Sequence, residues 1–94
     1  MLEGHDWTLK SIQYDWQEAQ GIFIFETAGE VSRILVASGV VELNVPQKRE
    51  WGASVSVNKI GRPLNVGELK KLTIEMQSGD VITVIASDFS LEMA

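Results

Sequence analysis

Leu72-Thr73-Ile74-Glu75-Met76-Gln77-Ser78-Gly79-Asp80-Val81-Ile82-Thr83-Val84-Ile85 is the stretch on which the fold turns. Two runs of β-branched and apolar residues flank a cluster of turn-forming ones, the pattern of an antiparallel hairpin. Glycine has no Cβ to clash at positive φ, so Ser78-Gly79 predicts a tight turn. That turn places Met76 opposite Val81, Ile74 opposite Thr83 and Leu72 opposite Ile85, with one apolar face drawn from both strands.

The same grammar extends outward from the hairpin. Glycines at 21, 29, 39, 52, 61, 67 and 79 separate short segments rich in Val, Ile, Thr and aromatic residues. Segment Trp7 to Trp16 alternates, but its apolar phase shifts from Trp7 and Leu9 to Ile12, Tyr14 and Trp16, which predicts a β-bulge at Lys10 or Ser11. Gly21-Ile22-Phe23-Ile24-Phe25 is apolar on both faces and reads as a central strand covered on both sides. Val31 to Val36 and Val40 to Val45 follow, with Pro46 ending the ladder because it lacks an amide donor. In Trp51 to Asn58, Ala53, Val55 and Val57 lie on one side, while Ser54, Ser56 and Asn58 form a polar, uncharged face on the other. Only Val66 to Lys71, behind Asn65 as a cap, suggests a helical turn or two. These readings predict an all-β chain, a single domain over residues 1–94. About seven antiparallel strands form a small sandwich or partly open barrel, with at most one short helical turn.

Composition narrows the function. Hydrophobic residues make up 45% and charged residues 22% of the 94, which is globular and not disordered. The chain has no cysteine, which removes disulfides, a thiol nucleophile and thiolate metal sites, and suits a reducing compartment. No apolar run reaches signal-peptide or membrane-spanning length, so the expected location is cytoplasmic and no membrane partner is expected. A net charge of -5 repels phosphate backbones and argues against nucleic acid.

The charge is uneven along the chain. Residues 1–30 carry Lys10 against Glu3, Asp6, Asp15, Glu18, Glu26 and Glu30, a net of -5. Residues 44–71 carry Lys48, Arg49, Lys59, Arg62, Lys70 and Lys71 against Glu50 and Glu68, a net of +4. Residues 72–94 return to -4 through Glu75, Asp80, Asp88 and Glu92. Two readings fit: opposite charges paired across neighbouring strands, each pair worth about 0.2–1 kcal/mol, or one basic patch facing an acidic partner or small anion.

No catalytic residue is assigned. His5 is the only histidine. Asp6 beside it points to the opposite face of an extended strand, so the two make a poor base and orienting acid. Ser54 and Ser56 lack both a base and a glycine elbow. A zinc site without cysteine would rest on one histidine and carboxylates, and the acidic residues lack the dense spacing of a calcium loop. Phosphate-loop and dinucleotide glycine signatures are missing, so neither a metal nor a cofactor is expected.

Recognition is the remaining class. Trp7, Trp16 and Trp51 are many tryptophans for this length, and each joins an apolar body to a single donor. Trp51 beside Ser54, Ser56 and Asn58 forms the candidate binding set, an aromatic platform next to hydroxyl and amide groups suited to a sugar, a peptide strand or a protein surface.

Four elements carry a family resemblance: His5-Asp6-Trp7, Asn44-Val45-Pro46, Trp51-Gly52-Ala53-Ser54-Val55-Ser56-Val57-Asn58 and Ile74-Glu75-Met76-Gln77-Ser78-Gly79-Asp80. Together they resemble a family of small bacterial proteins of unknown function. In that family a histidine-aspartate start, a tryptophan-glycine-serine-serine-asparagine segment and an acidic-methionine-glutamine-serine-glycine-aspartate hairpin recur. The resemblance spans residues 5–84 and implies a bacterial context without a mechanism. Where the family carries proline after tryptophan-glycine, this chain has Ala53. A shorter similarity, limited to the histidine-aspartate start and the strand after it, is to small immunity proteins that neutralise bacterial toxins.

The leading expectation is therefore a non-catalytic binding or protein-interaction module that forms a homodimer by covering its edge strands. The alternatives are a toxin-neutralising protein with acidic strands gathered on one face, and a small hydrolase or isomerase pairing His5 with a carboxylate such as Asp80.

Overall fold

The computed structural model describes residues 7–27, 32–46 and 56–93. They form nine strands: β1 (Thr8–Asp15), β2 (Gln20–Glu26), β3 (Ser32–Ser38), β4 (Glu42–Asn44), β5 (Val57–Ile60), β6 (Leu64–Val66), β7 (Leu69–Met76), β8 (Val81–Ala86) and β9 (Asp88–Met93). The first sheet has the order β1-β2-β3-β9. The second runs β4-β8-β7-β5, with β6 pairing the far half of the β7 edge that β5 occupies. Every ladder is antiparallel. The fold is the expected all-β sandwich.

Alternation builds the core from one face of each sheet. Leu9, Phe25 and Arg33 lie across the first sheet in one row, Ile12, Phe23, Leu35 and Leu91 in the next, and Tyr14, Gly21, Ala37 and Phe89 in a third. Facing them are Leu43, Val84 and Leu72, then Ile82, Ile74 and Ile60, then Met76 and Val57. Phe23, Phe25, Leu72, Ile74, Ile82 and Val84 are completely enclosed. Each such side chain contributes about 1.5–3 kcal/mol of burial energy.

The bulge falls where the phase shift placed it: Leu9 pairs with Phe25 and Ser11 with Ile24, leaving Lys10 as the extra residue. It lets Leu9 and Ile12 both face the core although three positions separate them. The hairpin register differs from expectation by one residue. Leu72 pairs with Val84 and Ile74 with Ile82, so β8 buries Ile82, Val84 and Ala86 and turns Val81, Thr83 and Ile85 outward. The reason is an extra loop residue. Met76 N–H donates to the Asp80 carbonyl at 2.9 Å and Gly79 N–H to the Met76 carbonyl at 2.9 Å, enclosing the three-residue loop Gln77-Ser78-Gly79 with Gly79 at φ 100°. A shift of one residue reverses which face a strand buries.

The helical turn expected over Val66 to Lys71 is absent. Val66 pairs with Leu69 across a two-residue loop, and Gly67 at φ 66° in its first position gives a reverse turn matched to the strand twist. β2 is central within its sheet, but no described strand lies over its second face, so Ile22 and Ile24 are covered only at their sides. β9 and β6 are strands that punctuation did not mark out.

The sheets join at two places. At one, β3 passes into β4 through Gly39 and Val40, while β8 passes into β9 through Ser87. Ser87 N–H donates to the carbonyls of Ser38 at 2.9 Å and Gly39 at 3.2 Å. Gly39 sits at φ 65°, and a Cβ there would stand 2.4 Å from Ser87 Oγ and 2.9 Å from its Cβ. At the other, Thr8 and Ser56 form an antiparallel bridge, and Val57 N–H donates to the Trp7 carbonyl at 2.8 Å.

Candidate functional site

Of the candidate binding set, Trp51 and Ser54 lie outside the described residues, as do His5 and Asp6. Ser56 and Asn58 are placed, and both are tied into the edge where β5 meets β7. The Ser56 carbonyl accepts from Gln77 N–H at 3.0 Å, and Gln77 Nε2 donates to the Val57 carbonyl at 3.3 Å. Asn58 is the extra residue of a second bulge, between Val57 paired with Met76 and Lys59 paired with Glu75. Its Nδ2 donates to Glu75 Oε2 at 2.7 Å. The alternation breaks beyond Asn58, where Lys59 is also turned away from the core before Ile60 enters it.

The carboxylate considered for catalysis, Asp80, is buried at the end of the β7–β8 loop. Ser78 Oγ donates to its Oδ2 and accepts from its backbone N–H, both at 3.2 Å, so this group shapes the turn. Among the described residues no three His, Asp or Glu side chains are grouped as a metal site, and no helix is long and apolar enough to cross a membrane.

The surface that stands out is the outward face of the first sheet. Strand pairing sets Ile22 beside Val36 and Ile24 beside Ile34, a two-by-two aliphatic block at the centre of the sheet. Ser11 and Gln13 border it on the β1 side, Ser90 and Glu92 on the β9 side. Glu26 lies at one end, 3.8 Å from Lys10 Nζ, and Asp15, Gln20 and Asp88 lie at the other. The outward face of the second sheet is more mixed, built from Thr73, Thr83, Glu75, Lys59, Lys71 and Glu42 with the apolar Val81 and Ile85.

Charge follows the division only in part. β1, β2 and β9, cut from the two acidic stretches of the chain, enter the first sheet; β5, β6 and the first residues of β7, cut from the basic stretch, enter the second, together with β8 and the rest of β7 from the acidic 72–94 stretch. Among the described residues Lys10 pairs with Glu26, and Lys70 with Asp88 at 3.2 Å. The Lys70 hydrogen bond, helped by the Phe89 backbone amide and the lysine's charge, holds the Asp88 carboxyl below the usual aspartate value. Arg33, at the core-facing end of β3, stacks its guanidinium 5.9 Å from the centre of the Trp7 ring, with Nη1 buried and unbonded.

Trp16 completes the face. The alternation assigned it inward with Ile12 and Tyr14, yet it is 85% exposed. Asp15 Oδ1 accepts from the amides of Gln17 at 3.0 Å and Glu18 at 3.1 Å, turning the chain one residue before Trp16. The indole then stands edge-on to the Tyr14 ring, 4.8 Å between centroids at 89°. It separates two clefts, one of about 410 Å³ walled by Gln13, Tyr14, Asp15, Trp16, Gln20 and Ile22, the other of about 290 Å³ walled by Tyr14, Trp16, Val40, Val41, Glu42 and Leu43. An aspartate directly before the tryptophan was the sequence signal for this turn.

No protein-family model matches the chain, and no curated protein or solved structure matches it either.

Proposed function

We propose that the protein is a non-catalytic protein-interaction module that docks its partner on the outward face of the first sheet. One observation carries the reading: Ile22, Ile24, Ile34 and Val36 form a contiguous aliphatic block within a polar rim on a face that no described strand covers. Such rimmed patches are the usual mark of association sites. The placed polar residues weighed for other chemistry, Ser56, Asn58 and Asp80, are engaged in the β5–β7 edge and its loop.

A photo-crosslinking residue at position 24 in the native host tests this, with position 83 on the opposite face as control. The expected result is one dominant partner band at 24 and none at 83. Equal labelling at both, or none at 24, ends the proposal. The dimer belongs to the same reading as antiparallel pairing of the β9 edge with a second copy. Light scattering at micromolar concentration checks it, and a strictly monomeric particle removes the dimer while leaving the face.

A toxin-neutralising role is the second reading, supported by the gathering of β1, β2 and β9 into one sheet with Asp15, Glu26 and Glu92 at its rim. Acidic rims of this kind speed the capture of basic targets. A steep fall of association rate with added salt is expected; a salt-independent rate rejects it.

A further inference from the structure

We infer that the larger cleft beside Trp16 receives an arginine side chain presented by the protein partner. This rests on the reading of the first sheet's outward face as a docking surface, because Ile22 belongs to both the aliphatic block and the cleft wall. Trp16 supplies a broad exposed aromatic face, held upright by Tyr14. Asp15 uses Oδ1 for the turn amides, which fixes the carboxylate, while Oδ2 has no partner among the described residues. Gln13 and Gln20, adjacent across the strands from Ile22 and Asp15, add two side-chain carbonyl oxygens to the same wall.

A flat π face, a fixed carboxylate and amide acceptors in one cleft match a planar cation with several donors. Guanidinium stacks on an indole while its N–H groups reach carboxylate and carbonyl oxygens, a combination that the compact ammonium of lysine serves less well. The neighbourhood favours a cation further, since Glu18 lies in the same turn and no described cation is paired with Asp15. A second copy of the chain is a poorer occupant, because it would bring two acidic rims together.

The test uses the full chain labelled with ¹⁵N and the blocked peptide acetyl-Gly-Arg-Leu-Gly-amide, with lysine and glutamate counterparts and chitobiose as further probes. The Trp16 indole signal is assigned from Trp16→Phe. The arginine peptide should give saturable shifts of the Trp16 indole and the Gln13 and Gln20 side-chain amides in the millimolar range. The lysine peptide should bind more weakly and the glutamate peptide not at all. Asp15→Asn keeps an oxygen for the turn amides but removes the charge, and should weaken binding about fivefold; Trp16→Ala should do the same. Unchanged arginine binding in Asp15→Asn, stronger binding of chitobiose, or no shift with any peptide would each overturn the inference. So would shifts that grow on concentrating the protein alone and vanish in Arg62→Ala, which would give the cleft to a second copy. A dominant crosslink at position 24 alongside a silent cleft would retain the docking face and discard the arginine pocket.

Discussion

The two outward faces of this sandwich were written by the same rule of alternation and came out opposite. On the second sheet, β7 and β8 put Leu72, Ile74, Met76, Ile82 and Val84 inward and turn a mixed set outward, Thr73, Glu75 and Thr83 with Val81 and Ile85 among them, closer to the pattern of a sheet that meets water on one side. On the first sheet, β2 and β3 are apolar in both directions: Phe23, Phe25 and Leu35 fill the core while Ile22, Ile24, Ile34 and Val36 look away from it. The folding of one layer does not require that second apolar set. On the proposed reading that second set meets a partner, which would put the docking surface on β2 and β3.

The largest test of the contrast uses neighbouring residues of one strand. Phe23→Ala should cost about 3–5 kcal/mol, because it empties an enclosed site. Ile24→Thr, which keeps the β-branched shape on the outward side, should change stability by less than about 1 kcal/mol. Urea denaturation of both variants measures the difference, and equal losses would mean that both faces of β2 serve folding.

Next comes the dependence of one sheet on the other. Gly39 and Gly67 have nearly the same backbone angle, φ 65° and 66°, but a Cβ at Gly67 meets nothing within 4 Å whereas one at Gly39 runs into Ser87. Both alanine variants should lose about 1–2 kcal/mol to the left-handed backbone. Gly39→Ala should lose about 1–2 kcal/mol more from displacement of the corner. Matching thermal midpoints would show that the corner yields without cost.

Smaller still is Asn58→Ala, expected to cost about 1 kcal/mol through the lost bond to Glu75, with no effect on labelling from position 24. A variant that folds normally but loses the crosslink would move the docking surface to the second sheet.

The smallest effect is one of pH at Asp88. Its folded carboxyl ionises more readily than the ordinary aspartate value of 3.8. The stabilisation is therefore present above that value and is lost as pH falls through the lower folded one. Asp88→Asn should flatten only this acid limb in pH-dependent thermal melts, and unchanged melts below pH 4 would remove Lys70–Asp88 as a contributor.

Much of this arrangement was legible before coordinates. Periodicity identified the β class and six segments that overlap described strands; Trp51 to Asn58 lies mostly outside the described residues, with β5 beginning at Val57. The phase slip between Leu9 and Ile12 narrowed the bulge to Lys10 or Ser11, and it falls at Lys10. What failed was loop length. Ser78-Gly79 looks like a complete turn, but Gln77 joins it, and that one residue decides whether Val84 or Ile85 is buried. The bulge at Asn58 was hidden for a related reason, since a bulge conceals itself where neighbours are small and polar. Trp16 was hidden because an apolar residue in phase with Ile12 and Tyr14 is assigned inward unless the strand is known to stop at Asp15.

The corner at Gly39 and Ser87 bears on how the molecule meets a visitor. Two polypeptide segments change layer back to back there, stapled by amide hydrogens, and the Thr8–Ser56 bridge fastens another margin. Tilting one layer therefore drags the other at these joints, so on the docking reading an incoming surface would meet a plate whose described shape is set before contact. Little ordering would then be lost on capture, and discrimination would fall to how well the visitor's contour fits the isoleucines and the upright indole.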